Sequence, residues 1–169
     1  MTPNRYRVLA SPVGPLTIAG VDGVLTHLRM VDQTHPPADR DTWVRDDTTL
    51  GRVVKQLDSY FAGDLTEFDV EMRLDGTEFQ RRVWAALCEI PFGDTWSYGQ
   101  LAAHIGQPKA SRAVGLANSR NPIGIIVPCH RVIGASGSLT GYGGGLDRKR
   151  ALLDLEGDRR QPSLDDAIA

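Results

Sequence analysis

Ile125-Ile126-Val127-Pro128-Cys129-His130-Arg131-Val132-Ile133-Gly134 is the stretch around which the rest of the chain is organised. An apolar run delivers a cysteine directly beside a histidine, proline fixes the backbone just ahead of them, and apolar residues resume at once. A polar pair in such a run is either costly to bury or kept for chemistry. Cysteine is a nucleophile only as thiolate, so it needs a base or a positive field. Neighbours on an extended strand point to opposite faces. His130 therefore reaches Cys129 through a turn, which Pro128 allows, or through a water. The competing reading of Cys129 is a small buried hydrophobe. That reading is adopted for Cys88, which lies in an amphipathic helix without basic company. Glu156 is a candidate to orient the histidine, although sequence distance does not place it.

Charge is uneven along the 169 residues, although the formal net charge is only -2. Met1 to Asp75 holds 8 Lys/Arg against 12 Asp/Glu, whereas Lys109 to Arg150 holds 7 basic residues against the single acid Asp147. The basic segment contains Cys129 and reads as a phosphate-facing surface or as a solvated face. An apolar fraction of 41% and a charged fraction of 24% fit an ordinary globular protein. Two cysteines make no disulfide framework, and no Cys/His spacing reads as a zinc site. The opening Met1-Thr2-Pro3-Asn4-Arg5 lacks a signal-peptide core, and no apolar run spans a bilayer. The expected compartment is a reducing cytoplasm, with no membrane contact.

The first part reads as an antiparallel meander: Tyr6 to Ala10, Leu16 to Ala19 and Val24 to Met30, the last two joined by an Asp22-Gly23 turn. Gln33 to Asp47 reads as an exposed loop. Thr48 to Ala62 has helical spacing and stops at Gly63. Phe68, Val70 and Met72 alternate with charges as one more strand, and Asp75-Gly76 marks a linker.

The second part reads as mainly helical. Thr77 and Gln80 form a capping box ahead of the Phe79, Val83, Trp84, Leu87, Ile90 stripe, which ends at Pro91. Ser97 caps a short helix, Gly106-Gln107-Pro108-Lys109 is a tight turn, and Ala110 to Asn118 is a third helix. Two short helices about a Gly-containing turn fit a helix-turn-helix. The second is small-sided at Ala113, Gly115 and Ala117, for close approach to a ligand or to another helix. Ala135 to Gly145 is turn-rich, Asp147 to Glu156 a closing helix, and Asp158 to Ala169 a polar, frayed tail.

Several of these motifs together resemble the O6-alkylguanine-DNA alkyltransferases, also called methylated-DNA–protein-cysteine methyltransferases. They are Phe79-Gln80-x-x-Val83-Trp84, Pro91-Phe92-Gly93, Ser97-Tyr98, Arg112-Ala113-Val114-Gly115, Asn121-Pro122, Pro128-Cys129-His130-Arg131, Ser136-Gly137, Gly141-Tyr142 and Leu152-Leu153 to Glu156. They run in order over half the chain. The first half matches weakly but fits that family's variable N-terminal domain.

The resemblance implies an α+β chain. Residues 1–75 would form a ribonuclease-H-like α/β domain with an antiparallel sheet and helix, and 76–157 a mostly helical winged helix-turn-helix domain. Residues 158–169 would be a flexible tail. It also implies stoichiometric DNA repair, in which the alkyl group of O6-alkylguanine, and of O4-alkylthymine, in flipped bases of duplex DNA moves irreversibly to Cys129. His130 would deprotonate Cys129 through a water, and Glu156 would set the histidine tautomer. Asn121 would tie the segment before the cysteine to the helix-turn-helix, and Tyr98 would help protonate the departing guanine. Arg112 would fill the space of the flipped base, with Ser111, Ala113, Gly115 and Asn118 also on the DNA-binding side. The main chain at Cys129 and Val132 would bond the guanine edge, with Tyr142, Gly143 and Gly124 completing the pocket.

Gly143 stands where animal members have serine, and Gly124 where they have proline, so weaker capture of benzyl than of methyl groups is expected. The cysteines of the animal N-terminal zinc site are missing, so no metal and no cofactor are expected. The chain is expected to be a monomer that clusters along DNA. A non-catalytic alkyltransferase-like protein would lack the acceptor cysteine, and a helix-turn-helix regulator would not need Pro-Cys-His-Arg. A cysteine hydrolase would not need the small-sided helix. The length and cysteine count exclude fusion to a methyl-phosphate sensor.

Overall fold

The computed structural model describes residues 2–139 and 142–160, with mixed α+β architecture as expected. Strands β1 (Arg5–Leu9), β2 (Leu16–Val21) and β3 (Val24–Met30) form the meander. Cross-strand pairs Leu16↔Met30 and Ile18↔Leu28 lie in the core, and a bulge between Ala19 and Gly20 shifts the register to Gly20↔Leu25. Any Cβ at Gly20 would run into the Val24 carbonyl, so the bulge requires glycine there.

The expected exposed loop contains a fourth strand. Within it, β4 (Val44–Arg45) pairs in parallel with β1, giving the order β3-β2-β1-β4. Trp43 anchors it, buried against the His27 ring at 4.8 Å, and Val44 N–H and Asp46 N–H donate to Asn4 and Tyr6 carbonyls. Helix α1 (Gly51–Ala62) starts later than Thr48, because Thr48 is held in a local turn by Asp46 and Leu50 takes a left-handed φ of 57°. It ends as expected at left-handed Gly63 (φ 85°) and buries Val53, Leu57 and Tyr60.

The strand expected at Phe68 to Met72 is reduced to one parallel bridge, Leu25↔Met72. The Gln56 side-chain amide of α1, not a strand, holds both main-chain groups of Asp69 at 2.8 Å. The rest of the β3 edge is taken from the second half: Leu28 N–H donates to Pro122 O at 3.0 Å, and Gly124 N–H donates to Leu28 O at 3.1 Å. One residue of β3 thus fixes the segment that leads to Cys129.

In the second half, α2 (Glu78–Leu87) and α3 (Tyr98–His104) both carry complete capping boxes, Thr77/Gln80 and Ser97/Gln100. Both pack on α4 (Ser111–Ser119), where Ala117 O accepts from the buried Trp84 indole at 2.8 Å. Two-residue strands β5 (Trp96–Ser97) and β6 (Val132–Ile133) pair in parallel beside α3. Helix α5 is Leu146–Arg160, four residues past the expected end at Glu156. Thr140-Gly141 of the turn-rich segment and 161–169 of the tail lie outside the described residues. Among those described, no helix is long and apolar enough to cross a membrane.

Candidate active site

The apolar run before the cysteine is buried, as its composition requires, but it is coiled rather than extended. Ile126 N–H donates to Gly124 O at 2.8 Å around Ile125, whose φ is 68°. A left-handed β-branched residue is an outlier and costs roughly 1–3 kcal/mol. Cys129 N–H donates to Val127 O at 2.8 Å around Pro128 (φ -83°, ψ 64°), an inverse γ-turn. Residues Cys129–Arg131 then form a 3-10 turn. The turn anticipated from Pro128 is present, and it sends Cys129 and His130 to different partners.

His130 is completely buried, and its Nε2 lies 2.8 Å from Glu156 Oε2. With Nε2–H donating to the carboxylate, Nδ1 carries the lone pair. That Nδ1 is buried without a hydrogen-bond partner among the described residues. Glu156 also accepts from Arg131 Nε (2.7 Å), Arg131 Nη2 (3.0 Å) and the Tyr60 hydroxyl (2.6 Å). Burial opposes the carboxylate charge, but His130 and Arg131 outweigh it and hold Glu156 down at about 2. Burial holds His130 below its ordinary value against the pull of Glu156, which keeps the ring neutral.

Burial pushes the Cys129 thiol up. A hydrogen bond from Asn121, the charge of Lys149, a main-chain hydrogen bond and the Tyr142 hydroxyl pull it back down. Lys149 is wholly buried on α5, one stripe with Leu152 and Glu156, and its Nζ donates to Val132 O at 2.5 Å. Sequence reading counted it as surface charge. The signal was there: a lysine at helical spacing from buried positions.

Arg131 and Lys149 are therefore turned inward, and Arg148 holds Val31 O and Gly144 O. The exposed basic groups of that segment are Lys109, Arg112, Arg120 and Arg150. Arg112 and Ala113 do stand exposed on α4, joined by Leu116 at 66% exposure, which the sequence reading did not single out. Ser111 and Gly115 are half-buried, and the Tyr98 ring approaches Gly115 closely enough to touch a Cβ there at 3.8 Å.

Asn118 departs from its expected place on the DNA side. It is buried, and its Nδ2 donates to Cys129 O at 3.4 Å, because its helical position faces the core with Val114 and Ala117. Asn118 thus adds a tie from α4 to the carbonyl of the cysteine. Asn121, just past α4, holds the segment before the cysteine, donating to Val127 O at 2.8 Å and accepting from Ile123 N–H at 3.0 Å, and it also bonds the Cys129 thiol. Cys88 also differs: it caps α2 at an exposed position rather than filling the core.

Asn118, Asn121, Gly124, Cys129, Tyr142 and Gly143 meet around one narrow cavity, with about 10 Å³ of room. That admits a water at most. Gly143 O accepts from Thr34 N–H at 3.2 Å, and a Cβ at Gly143 would lie 3.0 Å from Thr34 Oγ1. A side chain at 143 would therefore displace Thr34. The Val132 carbonyl accepts from Lys149 Nζ, and the Cys129 carbonyl accepts from both Asn118 Nδ2 and the Val132 N–H.

Two family models match this chain. One is the ribonuclease-like domain of 6-O-methylguanine DNA methyltransferase, over residues 4–74, and the other its DNA binding domain, over residues 78–158. A methylated-DNA–protein-cysteine methyltransferase of Mycobacterium bovis is 62% identical over 160 residues, covering 95% of this chain and 96% of its own. One from Methanosarcina acetivorans is 53% identical over 152 residues, covering 90% and 97%. The crystal structure of Mycobacterium tuberculosis OGT in complex with DNA is 61% identical with a TM-score of 0.88, covering 95% of this chain and 97% of that one. With both halves matched and close relatives aligned nearly end to end, the chain belongs to the 6-O-methylguanine DNA methyltransferase family.

Proposed function

We propose that this protein repairs duplex DNA by transferring the alkyl group of O6-alkylguanine, and of O4-alkylthymine, to its own Cys129. The observation that carries the assignment is the buried His130 Nδ1. It is a lone pair with no hydrogen-bond partner among the described residues, on a ring fixed from behind by Glu156, next in sequence to a cysteine. A water seated between Sγ and Nδ1 completes a relay from thiol to imidazole. Lys149 and the hydrogen bonds from Asn121 and Tyr142 favour the thiolate, against the burial that opposes it.

Sulfur attacks the sp3 carbon, the S–C bond forms, and the C–O bond breaks with its electron pair on the guanine oxygen. The base leaves protonated, with Tyr98 as the nearby donor. The thiol proton passes through the water to His130. Since the target atom lies inside a duplex, the nucleotide must be extruded, at a cost of a few kcal/mol, least for a weakly paired lesion. The exposed Arg112 fills the gap, and Ser111, Ala113 and Gly115 face the groove. The product is a thioether, which water does not readily cleave, so each molecule acts once.

The working division is 1–75 for the first domain and 76–157 for the DNA-binding domain, whose closing helix α5 runs on to Arg160. The protein acts without metal or cofactor, as a cytoplasmic monomer that clusters along DNA. A test uses Cys129→Ala and a duplex with a labelled O6-methyl group. The variant should bind the duplex as the parent does and take up no label. Label on the variant protein would overturn the assignment.

A further inference from the structure

We propose that Tyr60 is a positioning residue of the proton relay: its hydroxyl donates to the carboxylate oxygen that holds His130, so the N-terminal half tunes the base. The inference rests on the assignment of Cys129 and His130 above and goes beyond it, since nothing in the second half requires a partner from α1.

The geometry is specific. Tyr60 Oη lies 2.6 Å from Glu156 Oε2, the same oxygen that accepts from His130 Nε2 at 2.8 Å and from Arg131 Nη2 at 3.0 Å. Oε1 is left to Arg131 Nε at 2.7 Å. A separation of 2.6 Å falls in the short, charge-assisted class of O–H···O⁻ bonds. All four side chains are buried, so no solvent competes. The Tyr60 ring is held edge-on by Phe61 and Phe92, with centroids 5.1 and 6.3 Å away, and tilted on Phe68 at 5.2 Å. It has no freedom to swing elsewhere. Burial and the adjacent carboxylate push its hydroxyl far above the ordinary value, so it remains a donor throughout the working range.

A carboxylate oxygen has a limited negative charge to share. Each further donor lowers the potential felt by the imidazole, and removing one concentrates charge on those that remain. Tyr60 therefore restrains the pull of Glu156 on His130 and keeps the ring neutral at a lower pH than the His–Glu pair alone would. The other groups facing His130 and Glu156 are Arg131 and Cys129 on the turn, Lys149 on α5 and Tyr142 on the loop. Tyr60→Phe deletes one oxygen and alters none of them. A tyrosine on the buried face of α1, beside Val53 and Leu57, thus reaches the reaction through two other side chains.

The experiment is single-turnover transfer from a methylated duplex, followed against pH, for the full-length protein and Tyr60→Phe. The rate falls on the acid side as His130 takes a proton. That limb should move upward in Tyr60→Phe, by roughly half a pH unit to one unit, with duplex affinity unchanged. A uniform drop in rate with the limb in place would mean a structural role and overturn the inference. A second protein, carrying 2,3-difluorotyrosine at position 60, keeps the shape with a more acidic, stronger donor. Its limb should move downward, and it carries the test if the phenylalanine variant fails to fold. An unmoved limb there overturns the inference as well. If the parent itself transfers nothing to Cys129, the underlying assignment fails instead, so the two failures are distinguishable.

Discussion

Replacing Glu156 with glutamine keeps the shape of the side chain and removes the charge that four hydrogen bonds converge on. An amide offers one oxygen in place of two, and its NH2 group faces donors it cannot satisfy. Arg131, buried and aimed at that carboxylate, becomes a buried cation without its anion. Breaking one partner of such a pair costs roughly 3–5 kcal/mol. For a chain of this size each kcal/mol moves the melting midpoint by about 2–4 °C, so a fall of roughly 10 °C is expected at pH 7.

The pH dependence sharpens the test. Glu156 titrates near 2 in the fold and near 4.3 when unfolded, so its stabilisation is complete above that unfolded value and is lost as pH falls toward 2. The gap between parent and Glu156→Gln should narrow on acidification. Calorimetry or circular dichroism from pH 7 down to 3 reads both features. A midpoint within about 2 °C of the parent at pH 7, or a gap that widens in acid, refutes the reasoning.

Arg112→Ala should leave stability unchanged, since the side chain is exposed. It should slow repair of a duplex by roughly tenfold, the order of one lost contact, with little effect on reaction with free O6-methylguanine; equal slowing of both would remove Arg112 from the base-flipping role. In the proposed pocket Gly124 and Gly143 offer no side chain to pack on a bulky alkyl group or to bond the guanine oxygen, so benzyl groups should transfer more slowly than methyl groups, and equal rates in a competition assay would count against this. His27, half-buried against Trp43, is pushed by burial down to about 4. Between pH 6.5 and 4 the unfolded chain binds the extra proton, so stability should fall with pH by at most about 3 kcal/mol from this group. Urea midpoints for His27→Gln should be flatter over that range, and an unchanged slope would show that burial there is not the cause.

What was legible in the sequence is what local chemistry decides. β3 spans Val24–Met30 as expected, and the Thr77/Gln80 capping box forms because the pair is satisfied within one turn; Ser97 caps α3 as expected, with Gln100 completing a second box. What was hidden depends on distant partners. β4 exists because Trp43 packs on His27, and the strand at Phe68 dissolves because Gln56 captures Asp69. The coil at Ile125 had no residue-type signal, since isoleucine disfavours a left-handed backbone. Its geometry is imposed by Leu28, Asn121 and Asn118. In the site, Cys129, His130 and Glu156 were readable from the family motifs. Tyr60 was masked by its place on an apolar stripe, and Lys149 by an assumption that lysines face water.

The most direct measurement is peptide-resolved mass spectrometry after incubation with a duplex carrying O6-methylguanine. The account predicts a mass gain of one methylene on the peptide containing Cys129, saturating at one equivalent, with guanine restored in the DNA. Restoration without that gain, or repair that continues past one equivalent, would contradict a cysteine acceptor used once.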